Sequence, residues 1–176
     1  LFLFAVGTLY GVLGTLNMAD LAVKAAAAPP ETVPLIRAAG LVLFGVFALK
    51  AALLPLHLWL PAAYAHASAP VAALFAIMTK VGAYGILRVY TLIFGAGAGS
   101  AAPVARLIEP WLLPLALATL IFGMLGAVAS THLRQQAAWL MVASAGSLLT
   151  AFGLNNAAGI AAGLYYLPHT TFAAAA

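Results

Sequence analysis

The sequence predicts an all-α, polytopic transmembrane helix bundle of about six spans, with one helix broken by prolines around Lys50–Pro61. Three observations predict it. Of the 176 residues, 66% are hydrophobic and 6% are charged, and the mean hydropathy is +1.13; a soluble domain carries about 45–50% apolar and about 25% charged residues. Seven basic and three acidic side chains cannot cover a water-facing surface. The apolar runs are long and continuous, as membrane helices of about 20 residues require, whereas a membrane β-barrel shows short alternating segments. Charges and turn-forming residues gather between these runs.

Residues 1–16 are apolar and uncharged, the tail of a first helix. Residues 17–37 carry Asp20, Lys24, Glu31 and Arg37 with Pro29, Pro30 and Pro34, a composition that ends helices and faces headgroups or water. The second span covers residues 38–60 and the third 70–94, followed by a Gly/Ala turn over 95–103. The fourth span is 110–130. His132, Arg134, Gln135 and Gln136 form a polar connection, 137–154 is the fifth span, and Asn155-Asn156 turns into a sixth that carries Pro168-His169. Gly123 and Gly126, like Gly82 and Gly85, suit close helix packing.

The chain opens at Leu1-Phe2-Leu3-Phe4 without the basic region of a signal peptide, and closes on residues 173–176 with no helix stop. The expectation is a single transmembrane domain over 1–176, part of a longer membrane protein. Absence of cysteine excludes disulfides, thiolate metal sites and cysteine nucleophiles. The four histidines have no carboxylate interleaved at ligand spacing, so no metal site is expected. No phosphate-binding glycine motif precedes a helix and no basic stripe forms, which leaves no expected cofactor and no nucleic-acid partner.

Lys50 and Lys80 are the residues that matter. Each lies about ten residues from the nearer end of its span, about 15 Å at about 1.5 Å per residue, beyond the reach of a snorkelling lysine. A lysine at that depth costs about 2.5–3.5 kcal/mol and faces a bundle interior or a wet cavity. The acids Asp20, Glu31 and Glu109 all fall in expected connections, so the sequence supplies no nearby counter-charge. Pro55 and Pro61 break the helix after Lys50 and free backbone carbonyls, a feature tolerated where a helix lines a cavity or ion path. His57, seven residues beyond Lys50, can project toward the same side as a proton shuttle, or can serve as a partner for freed carbonyls. His66 is expected at the interface, Arg88 as an interface anchor, and His169 repeats the proline-histidine pairing.

These residues carry a resemblance. Lys50-Ala51-Ala52-Leu53-Leu54-Pro55-Leu56-His57-Leu58-Trp59-Leu60-Pro61 resembles the broken lysine helix of the antiporter-like proton-translocating family, the large subunits of Mrp-type (Pha, Mnh) cation/proton antiporters and of respiratory complex I. Met78-Thr79-Lys80-Val81-Gly82-Ala83-Tyr84-Gly85 resembles that family's next helix. His132-Leu133-Arg134-Gln135-Gln136 is similar to its short charged connection, and Tyr165-Tyr166-Leu167-Pro168-His169 to its histidine-bearing helix. Gly14-Thr15-Leu16-Asn17-Met18-Ala19-Asp20 looks most like the D-type branch of the Mrp antiporters.

The resemblance implies exchange of Na+ or K+ for protons by a hetero-oligomeric complex in a bacterial plasma membrane, with other membrane subunits as partners. It makes Lys50 the central lysine of the broken helix, Lys80 the neighbouring relay lysine and His169 a possible shuttle. The glutamate that the family pairs with the first lysine does not lie in these residues. Two alternatives are a proton-pumping subunit of complex I or of a membrane-bound hydrogenase, and a membrane anchor in which the lysines merely pair. Lys24, Arg37 and Arg106 against Arg134 would place connections 17–37 and 95–109 in the cytoplasm by the positive-inside rule; the resemblance implies the opposite orientation.

Overall fold

The computed structural model describes residues 1–95 and 97–175; Ala96, in the expected glycine-alanine turn, and Ala176, in the terminal alanine run, lie outside them. Among the described residues there are eight α-helices and no strand. Helix α1 (Phe2–Leu13) stops at Gly14, whose φ of 70° lets its amide bond back to Tyr10, a left-handed cap that glycine adopts without strain. Asn17 then opens α2 (Met18–Ala26) by accepting the Ala19 amide on its side chain. The segment expected to be an irregular link thus contains a helix, set 58° to α1. Within it Asp20 and Lys24 form an ion pair at 3.0 Å, one turn apart, a half-exposed contact of small energetic weight.

The remaining helices are α3 (Val33–Lys50), α4 (Trp59–His66), α5 (Ala69–Arg88), α6 (Ala102–Ala129), α7 (Leu133–Gly153) and α8 (Ala157–Ala175). A π-turn over Val89–Ile93 prolongs α5. Pro34 sits in the first turn of α3, where its missing N–H has no intrahelical role. Arg37, Arg106, Glu109 and Arg134 fall within helices rather than in connections. The reason for α6 is length. Its apolar stretch from residue 110 onward already spans about 30 Å at about 1.5 Å per residue, and the helix runs two further turns before it, carrying Arg106 and Glu109 toward the headgroups.

Four segments are long and apolar enough to cross a membrane: Val33–Lys50, Ala69–Ile93, Gly99–Ala129 and Leu133–Gly153; the bent pair of α1 and α2 would make five. The expected sixth, α8, has the length, but Tyr165, Tyr166, Pro168, His169, Thr170 and Thr171 dilute its apolar character.

The chain divides into two compact units. Unit 1 comprises residues Leu1–Phe47 and Tyr84–Pro110. Its core is built from Ala5, Leu9, Leu21, Ile36, Leu43, Phe94 and Val104. Gly40 is required there: a Cβ would lie 2.7 Å from Val104 Cγ1 and 3.1 Å from Phe94, and the Gly40 carbonyl accepts the Tyr90 hydroxyl at 2.6 Å. Unit 2 comprises Ala48–Ala83 and Trp111–Ala176. Here α6 and α7 meet backbone to backbone. A Cβ on Gly123 would lie 2.5 Å from the Ala143 nitrogen, one on Gly146 would lie 2.5 Å from the Leu120 nitrogen, and one on Gly126 would strike the Trp139 indole. The expected small-residue packing at Gly123 and Gly126 is this seam.

Candidate functional site

The site is assembled in unit 2, around the interruption between α3 and α4. Helix α3 ends at Lys50, five residues before Pro55, because the proline supplies no N–H and its ring excludes the carbonyl four residues back. Ala52 takes a φ of 56°, a left-handed conformation that is uncommon for a residue with a Cβ. The backbone exposed by the break is satisfied locally. The Leu53 amide reaches the Ala48 carbonyl at 2.9 Å, and Ala52 reaches Leu49 at 3.2 Å. The Trp59 indole N–H donates to the Leu49 carbonyl at 2.8 Å, and the Leu54 amide donates to Thr119 Oγ1 on α6 at 2.9 Å. Thr119 is itself anchored by donating to Leu115 at 2.7 Å. On α5, Gly82 lets a second backbone close on the break, since a Cβ there would lie 2.6 Å from the Ala51 nitrogen.

Lys50 stands exposed at the end of α3. Lys80, on α5, is 1% exposed and heads the fully buried side chains in volume. Its ammonium donates to Ser144 Oγ on α7 at 2.7 Å. The partner is a hydroxyl, not a carboxylate. Nothing in the apolar pattern of the fifth span marks Ser144 out from Ser147 or Thr150, so the sequence reading missed it, together with Thr119 and the Trp59 cap.

His57 is 7% exposed, with its ring centroid 5.9 Å from Trp139 and 6.5 Å from Phe122. Its Nδ1 is buried without a hydrogen-bond partner. The break separates it from Lys50, so their seven-residue spacing is not two turns of one helix and does not put them on a common face. Pro61 lines a cavity of about 840 Å³ with His66, His132, Arg134, Gln135 and Trp139. Pro55 is exposed. His169 is exposed on α8 beside Pro168, and the next residue, Thr170, lines a second cavity of about 340 Å³ with Tyr64, Ser144 and Tyr166. Ser144 therefore touches both Lys80 and this cavity. Among the described residues no three His, Asp or Glu side chains are placed to hold a metal ion.

The family model described as NADH:quinone oxidoreductase/Mrp antiporter, TM, matches residues 1–176. The chain is 42% identical over 171 residues to a probable K(+)/H(+) antiporter subunit of the D type from Rhizobium meliloti (strain 1021), an alignment covering 97% of this chain and 31% of the relative. It is 38% identical over 170 residues to the D-type Na(+)/H(+) antiporter subunit of Bacillus subtilis (strain 168), covering 96% and 33%. The chain spans about a third of the length of these curated relatives.

Among solved structures, it matches a chain of the Mrp complex from Dietzia sp. DQ12-45-1b with a TM-score of 0.79 and 31% identity, covering 99% of this chain and 30% of that one. A chain of the membrane-bound sulfane sulfur reductase, an archaeal respiratory membrane complex, matches with a TM-score of 0.83 and 27% identity, covering 99% and 34%. The match along the whole length means that the chain belongs to the NADH:quinone oxidoreductase/Mrp antiporter transmembrane family.

Proposed function

We propose that these residues form one transmembrane domain of a longer D-type subunit in a multisubunit antiporter that exchanges Na+ or K+ for protons across a bacterial plasma membrane. The D-type relatives at 42% and 38% identity support the assignment to that branch. Protons pass mid-membrane through Lys50 and Lys80, with His57 and His169 as shuttle groups and the Pro55–Pro61 break lining the path. The observation that carries this reading is Lys80: a buried ammonium held by one hydroxyl can lose a proton, and the resulting amine regain it, without dismantling an ion pair. Lysines at membrane depth mark proton and ion pathways.

The test uses the full-length protein assembled with its partner subunits in everted membrane vesicles. Lys80→Met and Lys50→Met are each expected to abolish cation-driven proton movement while the complex still assembles. Normal exchange in both variants would leave only the anchor role.

A second reading has its own support in the fold likeness to the archaeal respiratory complex. In that case proton movement through the same lysines requires electron transfer elsewhere in the assembly. Exchange driven by a cation gradient alone, with no electron donor, decides for the antiporter.

A further inference from the structure

Ser144 differs from every other serine and threonine in the α-helices of the described residues. Thr119, Ser147, Thr150 and Thr170 each donate their hydroxyl to the carbonyl four residues back, at 2.7–3.1 Å. Thr8 and Thr171 do the same, and Thr79 bonds three residues back. This back-bonding occupies the hydroxyl hydrogen. Ser144 lies mid-helix, where the Leu140 carbonyl offers the same bond, yet its oxygen is turned to Lys80 and accepts the ammonium at 2.7 Å. A hydroxyl has one hydrogen and two lone pairs. With one lone pair on Lys80, the hydrogen is available to the cavity of about 340 Å³ that Ser144 lines.

That cavity has an apolar side, from Ala137, Leu140, Met141 and Ala173, and a side lined by hydroxyl-bearing residues. Tyr64 comes from α4, Ser144 from α7, and Tyr166 and Thr170 from α8. Thr170 directs its hydrogen to the Tyr166 and Leu167 carbonyls, which leaves its oxygen as an acceptor. A water needs two to four polar partners and about 30 Å³ of liquid volume, so the space and the groups together accommodate several.

We infer that Ser144 is the proton-transfer residue between Lys80 and water in the cavity bounded by α4, α7 and α8, an inference that rests on the reading of Lys80 as a relay lysine. In the transfer, an Nζ–H bond of Lys80 breaks as Ser144 Oγ takes that proton. The hydrogen already on Oγ passes to a water oxygen. Lys80 is left neutral, the water holds the excess proton, and Ser144 ends as the hydroxyl it began. The reverse sequence recharges Lys80.

The experiment compares Lys80→Met, Ser144→Ala and Ser144→Thr in the full-length protein within the assembled complex, reading the maximal rate of exchange and the KM for the cation. Ser144→Ala is expected to lower the maximal rate about a hundredfold or more, the lower range of a lost proton-transfer group, with KM unchanged. Ser144→Thr restores the hydroxyl and is expected to recover at least about half the rate. Wild-type exchange in Ser144→Ala beside a dead Lys80→Met would overturn the role of Ser144 and leave the relay standing; wild-type exchange in both would overturn the relay itself. A threonine variant as slow as the alanine variant also overturns the role of Ser144.

If Ser144→Ala does not assemble, Ser144→Cys replaces it in full-length protein from which any cysteine outside residues 1–176 has been removed; residues 1–176 contain none. A small water-soluble methanethiosulfonate is then expected to block exchange, and a cysteine untouched by it refutes the hydrated cavity.

Discussion

A lysine ammonium placed at membrane depth costs about 2.5–3.5 kcal/mol, and a hydrogen bond from a charged group contributes about 1.5–3 kcal/mol. For Lys80, with its 2.7 Å bond to Ser144, the two nearly cancel. The residue therefore adds little to folding. Lys80→Met, which keeps the side-chain length and removes the charge, is expected to leave the thermal midpoint of the solubilised complex unchanged or higher while exchange is lost. A fall of the midpoint together with transport would mean that the lysine holds the bundle together, because breaking a buried charged contact is strongly destabilising. The position of Lys80 was legible in the sequence, since a mid-span charge stands out against a chain that is 6% charged. Its partner was not. One serine among several hydroxyls in the fifth span becomes special only when two helices are set side by side.

At the scale of elements, the helix break is a small structure in its own right. Two side chains close it: Thr119 accepts the Leu54 amide and Trp59 donates to the Leu49 carbonyl. Their losses are unequal. Thr119→Val is nearly isosteric and strands the Leu54 amide, a penalty of about 1–3 kcal/mol. Trp59→Phe leaves the Leu49 carbonyl with its bond from Ala52, so only the net value of one hydrogen bond is lost, about 0.5–1.5 kcal/mol. Thermal unfolding of the two variants in the assembled complex is expected to rank Thr119→Val below Trp59→Phe; the opposite order would show that indole packing, not the amide, governs the break. Pro55 announced a break in the sequence because its missing N–H is a local property. The left-handed Ala52 was not announced, since it belongs with the backbone that α5 and α6 bring into reach at Ala51 and Leu54. The helix in 17–37 was hidden for a related reason: Asn17 is a strong cap, but charges and prolines nearby outweighed it.

For the whole molecule, the two units differ in their charges. Unit 1 holds Lys24, Arg37, Arg88 and Arg106 with all three acids, Asp20, Glu31 and Glu109; unit 2 holds Lys50, Lys80, Arg134 and the four histidines, and no acid. Every candidate relay residue thus lies in the unit whose sequence holds no Asp or Glu. Helix α6 is long and apolar enough to run through the bilayer, and its first two turns carry Arg106 and Glu109. The segment Gly99–Ala129 has 31 residues, about 46 Å at about 1.5 Å per residue, against a hydrocarbon core of about 30 Å. Its two ends must then emerge on opposite faces. Residues 1–176 contain no cysteine, so in full-length protein from which any other cysteine has been removed, Ser100→Cys and Thr131→Cys report those ends singly. In sealed vesicles a membrane-impermeant maleimide is expected to label one variant from outside and the other only after the vesicles are opened. Labelling of both from the same side would make α6 re-entrant, remove one crossing from the bundle, and place Arg106 and Arg134 at one face. The same pair fixes the orientation: cytoplasmic labelling at Ser100 follows the positive-inside distribution of Lys24, Arg37 and Arg106 against Arg134, and labelling there from the opposite face shows that sequence outside these residues sets the topology.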